Sequence, residues 1–350
     1  MSNPNPLAAQ ILETSAAGYA SAAHALLIEA PGLGPRFAGA STEWKAHLRQ
    51  RILELAISVR VDRPELFARR ISWLQRAVKA RGADEREIRA VLDSLRLALE
   101  KELPENLKTT IERPIRLALD VLEKDSEPEP RALDESTPSG KIGLQYLTAC
   151  LEARTNDAKK LILDALESGL RPQEAYIEIL LPAQREIGDM WHEGDVGVAE
   201  ERLVSETTRE VMTLIVDRFA ERANPNLTLL AASVAGNAHD IGLRAVADLF
   251  RLAGWRVIYL GANMPTLEVI QATRSFEPEL VVLSATLTTQ IGSLAEAIDG
   301  IKQNADSPPV MVGGLALQDS EQLWQQLGAD AYAPDVASAV EIGSSLLSRQ

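Results

Sequence analysis

The sequence predicts a multi-domain protein: an all-α N-terminal domain, a second unit of four helices, then a doubly wound α/β domain on a parallel, five-stranded sheet. Three observations carry this prediction. Amphipathic helical spacing dominates the first two-thirds of the chain. The stretch from Asp125 to Lys141 is rich in Pro, Ser, Glu and Asp and nearly empty of apolar residues, so it reads as a linker. From Leu227 onward, short apolar runs of strand length alternate with helical segments, the pattern of successive βα units. A chain of 350 residues is long enough for two or three domains with sizeable cores.

In the first segment, helices are predicted over residues 43–61, 64–81, 84–103 and 105–122. Pro64 suits a first helical turn, where its missing N–H costs nothing; Gly82 marks a helix end, and Pro104 separates the last two helices. Pro114 falls inside the fourth and is expected to kink it. Beyond the linker, residues 143–153, 157–168, 172–190 and 199–220 predict four helices, with turns at Gly169 and Gly194. Strands are predicted at 227–233, 256–260, 280–285 and 309–313, with a short fifth near Ala331 and a closing helix over 336–347. The domains are accordingly placed at 1–124, 142–223 and 224–350, with 125–141 as the linker.

Composition narrows the function classes. The formal net charge is −14, unevenly spread: 19 Lys and Arg meet 16 Asp and Glu in residues 1–124, whereas 17 meet 34 in the remainder. The acidic part is not built to hold a phosphate backbone, and the arginines of the first segment alternate with glutamates as on a solvated helical face. With no helix-turn-helix bearing a basic recognition helix, direct nucleic-acid binding is not expected. No apolar run reaches the roughly 20 residues of a bilayer span, and residues 1–6 lack the features of a signal peptide, so a cytoplasmic protein with no membrane role is expected. The single cysteine, Cys150, excludes an internal disulfide and a cysteine-built zinc site, and is expected to pack between helices.

The chemistry concentrates in Gly236-Asn237-Ala238-His239-Asp240-Ile241-Gly242, between a predicted buried strand and a predicted helix whose apolar face is Leu243, Val246, Leu249, Phe250 and Ala253. His239 is thereby placed at the carboxyl end of a strand, where open α/β sheets bind ligands. Alone, such a histidine caps a helix or fills a polar niche more often than it faces a ligand. Two further features tip the balance: Ser284, separated from Gly242 by forty-one residues, and the pair Gly313-Gly314, separated from Thr286 by 26.

In residue type, order and spacing these sites resemble the cobalamin (vitamin B12) domains of methionine synthase, corrinoid methyl carriers and cobalamin photoreceptors. The resemblance implies a Rossmann-like domain in which His239, in the turn with Asp240, Ile241 and Gly242, gives cobalt its lower axial nitrogen once the cofactor's own dimethylbenzimidazole has swung away. It also implies that the displaced nucleotide tail runs beside the sheet past Ser284 and Thr286, with glycine at 313 and 314 allowing close approach to the backbone. The family commonly has aspartate two residues before the histidine, as a partner for its other ring nitrogen. This chain has Asn237, whose amide oxygen is expected to accept the imidazole N–H without bringing charge.

Upstream, Leu181-Pro182-Ala183, Glu186-Ile187-Gly188, Trp191, Gly194, Val198-Ala199 and Glu201 resemble the helical cap over the upper face of cobalamin in methionine synthase and the photoreceptors. This implies that Trp191 packs on the upper axial group, with Val198 and Glu201 on the same side, as around the adenosyl group of the adenosylcobalamin photoreceptors. Those photoreceptors carry histidine directly after the glutamate; here Arg202 stands there, and a guanidinium is not a metal ligand. His192 is an alternative donor. Residues 242–250 and 254–263 resemble the sensor branch more than the methyl carriers. The N-terminal helices, with Trp44, Trp73, Phe67, His24 and His47, look similar to photocobilins, which implies biliverdin or another bilin with propionates on Arg49, Arg51, Arg69 and Arg70. A helical dimerisation or signalling domain is the other reading of that segment. The expectation is a non-catalytic, homo-oligomeric sensor using adenosylcobalamin; a corrinoid methyl carrier is the alternative.

Overall fold

The computed structural model describes residues 5–82, 84, 86–124, 131–220, 222–304, 306–318, 320 and 322–348. The chain divides into two units, Met1–Pro128 and Glu129–Gln350. The first is helical throughout its described residues: Asn5–Thr14, Ala16–Leu27, Gly34–Ala38, Ser41–Arg60, Pro64–Ala80, Arg86–Glu102 and Glu105–Leu122. The last four lie where the spacing predicts them, and the final helix continues through Pro114. The first three are absent from the sequence prediction. Ala16–Leu27 carries no charged residue and alanine on most sides, so no polar face marks it, yet Ala16, Ala20, Ala23 and Leu27 form a fully buried seam. Phe37, Leu48, Ile52, Phe67, Leu92 and Leu99 are at the centre of this unit's core.

In the second unit, the expected linker needs correction. Residues 125–130 lie outside the described residues, and 131–137 already belong to the packed structure: Leu133 is buried, and the Ala132 N–H donates to the Glu186 carboxylate at 3.1 Å. A helix begins at Pro138, inside the predicted linker, because Thr137 caps it, its Oγ1 accepting the Gly140 N–H at 3.0 Å, with proline in the first turn. Four helical stretches follow the order predicted: Pro138–Leu151, Thr155–Glu167, a run from Pro172 to Glu193, and Val198–Phe219. The third loosens into a π-helical segment over Ala175–Leu180, and Gly194 ends it at φ +90°.

The sheet is formed by β1 (Asn224–Ser233), β2 (Trp255–Gly261), β3 (Leu280–Ser284), β4 (Val310–Gly313) and β5 (Ala331–Ala333). All pairings are parallel and the spatial order is β2-β1-β3-β4-β5, so the winding reverses between β1 and β3. Helices Ile241–Leu252, Thr266–Phe276, Ile291–Lys302 and Val336–Leu347 supply the crossovers and the closing element. This is the doubly wound, Rossmann-like architecture the sequence predicts, and every residue of β3 is buried, as in a strand covered on both faces. Among the described residues, no helix is long and apolar enough to cross a membrane.

Candidate functional site

The winding reverses between β1 and β3, the place at whose carboxyl ends open sheets hold ligands. The β1 loop, residues 234–240, borders it and carries His239. Polar groups from three directions hold this loop. Asn237 is fully buried; its Nδ2 donates to the Ser284 carbonyl at 3.0 Å and its Oδ1 accepts the backbone N–H of His239 at 3.1 Å. Asn263, at φ +53° after β2, accepts the Gly236 N–H on Oδ1 at 2.7 Å and donates its own backbone N–H to the Asn237 carbonyl at 2.8 Å. Buried Gln290 donates from Nε2 to the Gly236 carbonyl at 3.0 Å, while its Oε1 accepts the N–H groups of Thr286 and Leu287 at 2.8 and 2.9 Å. Asn237 thus serves the backbone, not the imidazole as the sequence suggested: its short side chain closes a turn onto the residue two places on.

His239 is exposed at the top of this clasped loop, one residue before Asp240, which precedes the helix Ile241–Leu252. Its imidazole pKa lies below the ordinary histidine value, chiefly through desolvation by surrounding protein, with the Arg202 charge adding to the effect and Glu201 and Asp240 opposing it. The shift favours the neutral ring, the form that donates a lone pair to a metal. Among the described residues no group of three or more His, Cys, Asp or Glu could hold a metal ion.

The same charges show that the start of Val198–Phe219 lies near His239. Val198 is 60% exposed and, at the end of the preceding helix, Trp191 is 40% exposed. Glu201 accepts the Ser205 hydroxyl at 2.7 Å and lies 3.9 Å from the Arg202 guanidinium. His192, by contrast, is buried, so it does not stand beside Trp191 as a free metal donor. Further along the same helix, Arg209 forms an ion pair with Asp240 at 2.8 Å, and the Tyr259 hydroxyl donates to the other Asp240 oxygen at 2.9 Å.

At the end of β4 the two glycines differ. Gly314 has φ +103°, and a Cβ placed there would lie 2.2 Å from the Ala285 carbonyl oxygen and 3.1 Å from the Ser284 hydroxyl. Only glycine fits that position. At Gly313, paired with Ser284 and Ala333, a Cβ would approach the Ala333 carbonyl oxygen at 3.3 Å. Ser284, Gly313 and Gly314 are thus brought to neighbouring strand ends, with Thr286 just beyond, while Gly242 faces open space. Asn263, Gln290, Arg209 and Tyr259 escaped sequence reasoning as site residues. In the N-terminal unit, two of the four arginines expected to meet a bilin are engaged otherwise: Arg51 and Arg70 both pair with buried Glu54, at 2.7 and 3.1 Å, and Arg70 also stacks on Trp73.

Comparison with known proteins bears on this geometry. Residues 227–341 match the model of a B12 binding domain, and residues 144–215 match that of a second B12 binding domain. Both segments are B12-binding domains. A corrinoid protein of Desulfitobacterium hafniense is 25% identical over 62% of this chain and 98% of its own length. The HTH-type transcriptional repressor CarH of Myxococcus xanthus is 24% identical over 57% of this chain and 67% of its own. A solved monomethylamine corrinoid protein of Methanosarcina barkeri shares the fold, with a TM-score of 0.52 at 20% identity, covering 60% of this chain and 99% of that one.

The cofactor is accordingly a cobalamin, and the local structure fits one. The exposed His239 side chain stands beyond the end of β1, a glycine sits where no side chain fits, and the cap presents Trp191 at 40% and Val198 at 60% exposure.

Proposed function

We propose that this chain is a cobalamin-dependent sensor, in which residues 142–223 cap the cofactor, residues 224–350 hold it and residues 1–124 carry the output. The observation that carries this reading is the pair of exposed apolar side chains, Trp191 and Val198, on the same helical unit as Glu201 and Arg202, whose charges act on His239. A small upper group such as methyl leaves both in water, whereas an adenosyl group supplies an aromatic face for Trp191 and a hydrogen-bonding edge for Glu201. When bound, adenosylcobalamin supplies a cobalt–carbon bond that light can break.

The residues have distinct roles. His239 would hold the cobalt through a ring nitrogen, and Asn237, Asn263 and Gln290 hold its loop in place by backbone contacts. Asp240 and the first two helical residues, Ile241 and Gly242, would adjoin the cofactor next to His239. Ser284, Thr286, Gly313 and Gly314 border the slot for the nucleotide tail. Trp191, Val198 and Glu201 contact the upper ligand, and Arg202 stays exposed beside Glu201. Loss of the upper ligand removes contacts on one side of the cap only, which shifts the balance between two cap positions or two oligomeric states.

Absorption spectra of the protein reconstituted in the dark with adenosylcobalamin, before and after green light, with sizing alongside, test the reading. A histidine-ligated dark spectrum, a light-induced change and a change in size are expected; an unchanged spectrum under light sinks the sensor claim while leaving cobalamin binding intact. His239→Ala should convert the histidine-ligated spectrum to a water-ligated one. A corrinoid methyl carrier is the second reading, favoured by the match over 98% of the length of the D. hafniense corrinoid protein. It predicts methylcobalamin on the protein as purified and methyl transfer to a thiol with a partner enzyme.

A further inference from the structure

The Val198–Phe219 helix reaches both sides of the candidate site. Its first turns carry Val198, Glu201 and Arg202, and two turns later Arg209 grips Asp240, the residue directly after His239. Glu201 and Arg209 are eight residues apart, about 12 Å along a helix axis. The joint is well built: the Asp240 side chain is 14% exposed and that of Arg209 is 26% exposed, so the pair is partly shielded from water. Asp240 has one oxygen on Arg209 and the other on the Tyr259 hydroxyl, which fixes the carboxylate plane. Arg209 also pairs with Glu206 on its own helix, and Arg244 reaches from the helix after His239 to the Thr213 hydroxyl at 3.2 Å. Desolvation works against the charge of the Arg209 guanidinium, but Asp240 and Glu206 outweigh it and hold its pKa above the ordinary value.

We infer that the Arg209–Asp240 ion pair is a strut that positions the His239 loop for cobalt ligation and couples it to the cap. Arg209 and Asp240 are positioning residues: they act through the loop and do not touch the cofactor. The strut gives a physical route by which a change on the upper face, felt at Glu201, alters how firmly the lower histidine is held. The route is a helix, and its two-position element is the cap. This rests on the assignment of His239 as the lower ligand.

The test uses the full-length protein, apo and loaded with adenosylcobalamin in the dark. Arg209→Met and Asp240→Asn are each expected to lower the ratio of histidine-ligated to water-ligated spectrum by about tenfold, and the double variant is expected to do no more than either alone, the signature of a pair acting as one. Tyr259→Phe should give a smaller fall, and Arg209→Lys should restore part of the loss. In the apo protein, amides of residues 234–240 should exchange with solvent faster in both single variants, an outcome independent of any cofactor. Additive effects in the double variant, or unchanged loop exchange with an unchanged ligation ratio, overturn the strut. If Arg209→Met fails to fold, Arg209→Gln takes its place in the same comparison. His239→Ala separates the two claims: if it keeps the histidine-ligated spectrum, the ligand assignment falls; if it loses that spectrum while the Arg209 variants keep theirs, only the strut falls.

Discussion

His239 and Gly314 show how single residues set this site. His239 sits among groups that disagree about its proton: desolvation and Arg202 push the imidazole pKa down, Glu201 and Asp240 push it up, and the net shift is below the ordinary value of about 6.5. An imidazole with a lower folded than unfolded pKa binds its proton more readily when unfolded. Its contribution to stability is therefore intact above the unfolded pKa and is lost as pH falls through the window between the two. Histidine-resolved NMR titration of the apo protein should place the His239 midpoint below that of a free histidine. Arg202→Ala should raise that midpoint and Glu201→Gln lower it; a midpoint unmoved by Arg202→Ala would show that the two do not interact. Gly314 makes a steric prediction. Alanine there meets the Ala285 carbonyl at 2.2 Å in a backbone conformation at φ +103°, so Gly314→Ala should cost about 1–3 kcal/mol, read as a fall in Tm, together with weaker cobalamin binding.

At the scale of elements, the loops after β1, β2 and β3 form one polar clasp, and its keystone is Gln290. One amide closes the β3 loop on itself through two backbone N–H groups and reaches 54 residues back to the Gly236 carbonyl. Gln290→Leu fills similar space but leaves these groups unpaired, so a loss of about 1–3 kcal/mol and faster amide exchange in residues 234–240 are expected. Equal exchange in the variant would show that Asn237 and Asn263 suffice. The strands and most helices were legible in the sequence because burial imposes a period on apolar residues, and the closing helix Val336–Leu347 lies where the spacing puts it. Spacing in the sequence singled out His239, Ser284 and the glycine pair, and the structure pairs Ser284 with Gly313 on neighbouring strands. Gln290, Asn263 and Arg209 were not: each is a single polar residue whose importance comes from a partner 27 to 54 residues away, and no local period marks it. Asn237 was found but given the wrong partner, since sequence does not tell whether an amide faces a ring or its own backbone. Thr137-Pro138 did carry a start signal, masked by the polar composition around it.

At the scale of the whole molecule, the two units have separate means of support. The core of the first is made of residues from Ala8 to Ala118, and the helical core of the second begins at Leu133 and includes Ala245, Leu249 and Leu252 of the sheet domain. Buried Asp248 ties that second unit together internally, held by Arg244 at 3.1 Å, by Arg251, and by the Tyr176 hydroxyl of the cap at 3.0 Å. Every residue assigned to the cofactor lies in this unit, whereas Arg51 and Arg70 of the other are committed to Glu54. A unit with its own core and its own ligand residues folds and binds by itself. A protein of residues 129–350 is therefore expected to fold cooperatively and to bind adenosylcobalamin with a Kd within about threefold of the full chain, since each tenfold change needs about 1.4 kcal/mol of contacts that the truncation does not remove. The sensor reading adds a second expectation. Removing the first unit should abolish whatever response follows illumination while leaving the spectral change itself intact, because the cobalt–carbon bond and its surroundings are retained. A folded truncation that binds poorly would instead make the N-terminal unit part of the cofactor site.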